Sequence, residues 1–278
     1  MKKFFTGLFL LLAGFMAHAQ TADEIIGKYE TAAGGRQKLE EVRYLEVFSN
    51  VKLSVMGRDM EIPVTLVRER GKLFRRQVGG IMGMGDSFTM ITDTSGVIYI
   101  PPMRGFGRGG PGGFDGGSDG NEPSITPMSK EEVVSQQYEL DCAGAFGELV
   151  NYAAKGHKAE LAGTEKVNKV PCYKIKLTLK TGQVVYYYID TQSYLVKKIE
   201  ASGDMAMNLT GFGPMMRAFG SRVAKDPKAT VIIKEYKEVK GVQYPSKYQL
   251  SFGPLETEVE NQTIQINEGL EEKWYHVK

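Results

Sequence analysis

The stretch from Tyr173 to Glu200 constrains the fold more than any other part of the chain. Tyr173-Lys-Ile-Lys-Leu-Thr-Leu-Lys180 alternates apolar and polar side chains without a break. Successive side chains of a strand point to opposite faces, so the pattern predicts a strand with one buried and one wet face. Thr181-Gly182 predicts a turn. Val184 to Ile189 predicts a second strand, apolar on both faces and carrying three tyrosines. Asp190 to Ser193 turns again before Tyr194 to Ile199 returns. Three neighbouring strands on short turns make an antiparallel meander.

The same alternation recurs elsewhere. Leu45, Val47, Val51, Leu53 and Val55 share one phase, Met60, Ile62, Val64 and Leu66 another, and Val242, Tyr244, Tyr248, Leu250 and Phe252 a third. Pro63 and Pro245 suit edges or bulges of a curved sheet. Helix signals come twice. Thr21-x-x-Glu24 and Ser129-x-x-Glu132 are capping boxes. Ile25, Tyr29 and Ala32 follow the first, ended by Gly34-Gly35. Phe146, Leu149, Val150 and Ala153 follow the second at helical spacing, ended by Gly156. Helices are therefore expected over 21–34 and 129–156. Many strands in series without βαβ alternation predict a mainly β (α+β) chain with an antiparallel sheet long enough to curl. No linker-like break divides the strand runs, so residues 20–278 are read as one domain.

Lys2 and Lys3, the apolar run Phe4 to Phe15 and Ala17-His18-Ala19 form a signal-peptide pattern, with cleavage expected after Ala19. The expected product is exported, soluble, periplasmic and without a lipid anchor. Removing Lys2 and Lys3 from 35 basic residues leaves 33, against 33 acidic ones. A net charge of zero argues against nucleic acid as a partner.

Two segments interrupt the strand pattern. Residues 101–127 hold nine glycines between Gly105 and Gly120, a composition that predicts a mobile loop. Residues 203–220 carry Met205, Met207, Met215 and Met216. Methionine adapts its shape to varied apolar partners. Two readings stand: a methionine-filled core, or the mouth of an apolar binding site. The clustering beside glycine-rich segments favours the mouth.

Other chemistry finds little support. His157 and His276 have no close Cys or His partner in sequence, so no metal is expected. Gly105-Phe-Gly-Arg-Gly-Gly110 matches a dinucleotide fingerprint in letters but lacks the surrounding βαβ unit. No Gly-x-Ser-x-Gly motif occurs, and no cofactor is expected. Cys142 and Cys172 are the only cysteines. Their even number and the export signal favour a disulfide, and two separate buried thiols are the alternative.

Several stretches in order resemble the LolA-like outer-membrane lipoprotein-sorting proteins: Ala22 to Tyr29, Ala33 to Leu39, Arg70-Gly-Lys-Leu-Phe-Arg-Arg76, Ser95 to Tyr99, Gly163 to Val167, Cys172 to Leu177, Gly182 to Asp190 and Glu235 to Pro245. The resemblance implies an open, strongly curved antiparallel half-barrel with helices packed in its concave face. It also implies an apolar cavity that takes lipoprotein acyl chains or other lipid in the periplasm, and no enzymatic activity. The implied partners are transfer proteins of the inner and outer membranes, with the carrier itself a monomer. The residues expected to line the cavity are Val47, Val64, Leu66, Phe74, Met90, Tyr186, Tyr188, Met205, Met207, Met215 and Met216. The family's functional arginine maps to Arg75 or Arg76. Arg76, in phase with Phe74 and Val78, is the one expected to face inward and position a carbonyl or headgroup. Here Arg70 precedes Gly71 where the family has proline. A lipid-sensing regulator on the same fold, a scaffold without ligand and a hydrolase with dispersed catalytic residues are the alternatives.

Overall fold

The computed structural model describes residues 20–55, 58–80, 85–102, 122–211, 226–253 and 255–277. The leader, residues 103–121 of the glycine-rich segment, and Met215 and Met216 lie outside the described residues. The chain opens with helices α1 (Ala22–Ala32) and α2 (Arg36–Glu40). Strands β1 (Tyr44–Val55), β2 (Arg58–Glu69), β3 (Leu73–Val78), β4 (Ser87–Thr92), β5 (Gly96–Ile100) and β6 (Ser124–Pro127) follow. A connector then carries α3 (Lys130–Gln136) and three 3₁₀ turns, Gln137–Leu140, Gly147–Leu149 and Tyr152–Lys155. The second half comprises β7 (Lys158–Val167), β8 (Val170–Thr178), β9 (Val184–Asp190), β10 (Val196–Ser202), α4 (Gly203–Thr210), β11 (Lys228–Val239), β12 (Val242–Phe252) and β13 (Leu255–Ile266). A short 3₁₀ turn, Glu272–Tyr275, lies near the C-terminus.

All thirteen strands form one antiparallel sheet in the order β6-β5-β4-β3-β2-β1-β13-β12-β11-β10-β9-β8-β7. Two meanders meet where β1 pairs with β13. The edge strands β6 and β7 do not pair, so the sheet is open. Because β6 and β7 are sequence neighbours at opposite edges, the connector has to cross the whole sheet. It does so over one face, which the register identifies. Directly opposed residues share a face: Val47 opposes Leu66, and Leu66 opposes Arg76. This inner face packs on α1 and the connector through Ile25, Ile26, Tyr29, Phe146, Leu149 and Val150, in one core with Ile175, Leu177 and Tyr187. Each such aliphatic or aromatic side chain contributes roughly 1.5–3 kcal/mol on burial.

Local signals explain the helix ends. In both capping boxes the N-cap hydroxyl accepts from the N3 amide and the N3 carboxylate accepts from the N-cap amide. Gly34, at φ 130°, brings the end of α1 against the β11–β12 turn, where a side chain would strike the carbonyl of Gly241. The Gln243 amide donates to Ala33 O at 3.0 Å across this junction. Pro245 sits at a bulge between β11 and β12, and Pro63 one residue beyond the last β2–β3 pair.

Three expectations are corrected. The helix expected over 129–156 stops at Gln136. Gly144 (φ 74°) and Asn151 (φ 50°) take left-handed conformations that a helix cannot continue through, so Phe146, Leu149 and Val150 reach the core from separate turns. Residues 124–127, expected in a mobile loop, form edge strand β6 against β5. Cys142 and Cys172 are both buried free thiols. Cys142 lies in the inner core, with its thiol 3.2 Å from Val42 O. Cys172 packs with Val167 and Tyr188 on the other face of the sheet, so the sheet stands between them.

Candidate functional site

An apolar cavity of about 120 Å³ lies on the inner face between the two meanders. β1 contributes Val51 and Leu53, β2 Ile62, Val64 and Leu66, and β3 Val78. From the far side come Val231 of β11, Tyr248 and Leu250 of β12 and Val259 of β13. Strands β11 to β3 are six neighbours, which at about 4.8 Å each would span roughly 24 Å if flat. One small cavity touching both ends of that run requires the sheet to be strongly curved. Helix α4 closes the cavity with Leu209, Thr210 and Gly211.

Among the described residues of this apolar wall, Arg76 is the charged one. Its Nη1 donates to Asn208 O at 2.9 Å, near the C-terminal end of α4. The guanidinium also lies over the Phe74 ring, 5.3 Å from the centroid, and its Nη2 is 3.9 Å from Glu139. Gly211 ends α4 at φ 73°, and a Cβ there would collide with the Arg76 guanidinium. Glycine at the helix C-cap thus serves both the left-handed turn and the close approach of the arginine. Glu139 is buried and also pairs with Arg68, whose guanidinium is largely buried as well. Burial works most strongly against the charge on Arg68, but Glu139 and Glu148 together hold the guanidinium pKa above its ordinary value.

The phase of β2 divides the inner face. Ile62, Val64 and Leu66 line the apolar cavity, whereas Arg68 and Arg70, next in the same phase, are bound to the connector. Arg70 donates to Val42 O at 2.7 Å and to Asp141 at 3.4 Å. Asp141 also pairs with Lys155 and accepts from the Ala143 amide at 2.9 Å. Burial alone would raise the Asp141 pKa, but Lys155, the amide and Arg70 together hold it below the ordinary aspartate value. A carboxyl depressed in the folded state contributes stability that is complete above its unfolded pKa, near 4. That contribution is lost as pH falls through the lower folded value. Acid unfolding followed by far-UV dichroism should therefore show a shallower loss of stability below about pH 4 in Asp141→Asn than in the wild type.

Of the residues expected to line the cavity, Val64 and Leu66 do, and Arg76 lies with them. Val47 belongs to the same inner face, in the adjoining core. Phe74 faces inward but packs with Ile91, Val133 and Leu140 under the connector. Met205 and Met207 are buried on α4, in the core itself and not in a loop at a mouth. Four residues face the other way. The β3–β4 register sets Met90 opposite Arg75 and Thr89 opposite Arg76, so Met90 and Arg76 cannot share a face. Met90 packs with Val67, Phe88 and Trp274 on the outer face. Arg75 lies there too, 3.7 Å over the Phe88 ring, and donates to His276 O at 2.6 Å. Tyr186 and Tyr188 sit on the outer face beside Lys174, and Tyr187 is the inward tyrosine, against Phe146.

Sequence reasoning did not assign Leu209, Tyr248, Leu250, Val231 or Val259 to the cavity, nor Glu139 to Arg76. The shared phase of Tyr248 and Leu250 was a usable signal. Glu139, inside the short 3₁₀ turn Gln137–Leu140 of the connector, offered none.

No protein-family model matches the sequence, and no curated protein does. Solved structures match the fold. A LolA superfamily protein from Nitrosomonas europaea superposes with a TM-score of 0.53 at 10% identity, covering 93% of this chain and 98% of that one. A DUF1329 family protein from Desulfovibrio piger gives 0.52 at 9% identity, covering 91% and 97%. The chain is similar to both along nearly its whole length, and the similarity is one of fold: an open antiparallel sheet of the LolA-like kind with helices against it.

Proposed function

We propose that the protein is a periplasmic carrier or chaperone that takes acyl chains of lipoproteins or other lipids into its apolar recess for transfer towards the outer membrane, without acting on them chemically. The observation that carries this reading is the recess itself, an apolar pocket on the inner face of an open sheet, closed by a helix that one arginine holds in place. The leader pattern at residues 1–19 supports export. Proteins of the two membranes would load and unload a monomeric carrier.

At about 120 Å³ the recess is below the roughly 300–1,000 Å³ of sites that hold small organic ligands. This conformation is then the closed one, and α4 is the element that must move. Its eight residues fall short of the roughly 12–15 at which isolated helices become marginally stable. Packing of Met205 and Met207 and the Arg76 contact keep it in place, so displacing it is a local opening rather than global unfolding. Burying about twelve methylenes would supply roughly 10 kcal/mol. Association costs of about 4–15 kcal/mol and the opening of α4 draw on that gain. Only at the lower end of that cost does net affinity remain, and it is then weak enough to be reversible, as a carrier requires. Titration of a fluorescent fatty acid into the purified protein tests the reading: one saturable site is expected, and its absence contradicts the reading.

A further inference from the structure

The segment after β13 runs back across the outer face of the sheet. Asn267 fixes its start: its Oδ1 accepts from the amides of Arg43 and Tyr44 at 2.7 and 3.1 Å. The 3₁₀ turn Glu272–Tyr275 then lays Trp274 among Val67 of β2, Leu73 of β3, and Phe88 and Met90 of β4, with Leu270 and Val277 packed against them. The Tyr275 hydroxyl donates to Glu69 at 2.8 Å. Residues 268–277 thus form a strap that reaches from the β13–β1 pair to β4.

Arg75 is the latch of this strap. Its Nη1 donates to the carbonyls of Trp274 and His276, at 3.4 and 2.6 Å, and its guanidinium lies 3.7 Å over the Phe88 ring. Arg75 is 6% exposed, and among the described residues no carboxylate pairs with it. Lifting the strap would return that charge to water, which offsets part of the apolar burial lost. Arg76, the next residue, points to the other face and holds α4 through Asn208 O. Leu66, in the recess wall, likewise precedes Val67 under the strap. One short stretch of β2 and β3 therefore carries the strap on one side and the closing contact of α4 on the other. An acyl chain that enlarges the recess has to displace Leu66 and Arg76, and the same backbone takes Val67 and Arg75 with them. Packed interfaces answer such a shift by switching between arrangements rather than by deforming continuously.

We propose that the strap regulates the acyl recess: it is docked while α4 is closed and lifts when α4 opens. The inference rests on the acyl-carrier reading. Trp274 is the only tryptophan in the chain. It lies on the outer face, where a chain in the recess does not touch it, so its emission reports the strap. Titrating palmitate into the full chain should shift that emission to the red as the indole meets water. The midpoint should match that for displacement of a fluorescent fatty acid. Coupled sites change each other's equilibria by the same factor. Trp274→Ala, with far-UV dichroism as the folding control, should therefore bind the fluorescent fatty acid about fivefold more tightly, the lower end of typical couplings. The emission measurement needs no variant, so it decides the matter even where Trp274→Ala does not fold. Fatty acid that saturates the recess while the emission stays unchanged would overturn the coupling and leave the carrier reading standing. A folded Trp274→Ala with wild-type or weaker affinity would do the same. No saturable binding by wild type would overturn both.

Discussion

Replacing Arg76 with leucine should tighten binding of a fluorescent fatty acid by about ten- to a hundredfold. Arg76 Nη1 donates to Asn208 O at 2.9 Å, and this bond exists only while α4 covers the recess. A hydrogen bond with a charged donor contributes about 1.5–3 kcal/mol. Each 1.4 kcal/mol is a factor of ten in an equilibrium. If only the open form binds, apparent affinity scales with its population, so removing the bond raises affinity up to that limit. Leucine keeps the wall apolar, and Glu139 keeps Arg68 as a partner, so the fold should survive. Equal affinity in the two proteins would show that Arg76 is not what holds α4. Weaker binding by the variant would assign the guanidinium to the ligand instead, as the family resemblance implied.

Glu139→Gln should have the largest effect on stability, a loss of about 3–5 kcal/mol by urea denaturation. Glu139 is 4% exposed and is the carboxylate shared by Arg68 and Arg76. Glutamine preserves the shape but leaves two desolvated guanidinium groups without a counter-charge, and breaking a buried ion pair from one side costs about that much. The double variant Arg68→Met with Glu139→Leu should be more stable than the single one, because it removes a buried charge as well as its partner. Glu131→Gln, on the exposed side of α3, should lie within about 0.5 kcal/mol of wild type. A single variant as stable as that control would mean that the cluster is solvated and does not tie the connector to β2.

Most of the sheet was legible because period-two alternation is a local signal. β8, with Ile175 and Leu177 inward and Lys174 and Lys176 outward, could be read residue by residue. β9 could not, since Val185 to Ile189 is apolar on both faces and its phase is set by its neighbours: Tyr187 opposes Ile175, Tyr186 opposes Lys176. Met90 was misplaced for the same reason, because its face follows from pairing with Arg75 and not from its own residue type. The connector misled in another way. The spacing of Phe146, Leu149 and Val150 is that of a helix, yet Gly144 and Asn151 interrupt it with backbone conformations the apolar pattern does not record. Arg76 could be placed by phase with Phe74 and Val78. Its link to Asn208, 132 residues later, could not, since only the curvature of the sheet brings α4 over β3.

Titrating a fluorescent fatty acid into wild type and Val64→Trp, with far-UV dichroism as the folding control, shows whether the recess under α4 receives an acyl chain. Val64 lines the cavity, and an indole in its place would fill the space the chain has to enter, at a cost to stability of about 1–3 kcal/mol. An acyl-binding recess gives one saturable site in wild type and its loss in a folded Val64→Trp. Saturable binding that survives in the folded variant, or none in wild type, would contradict it.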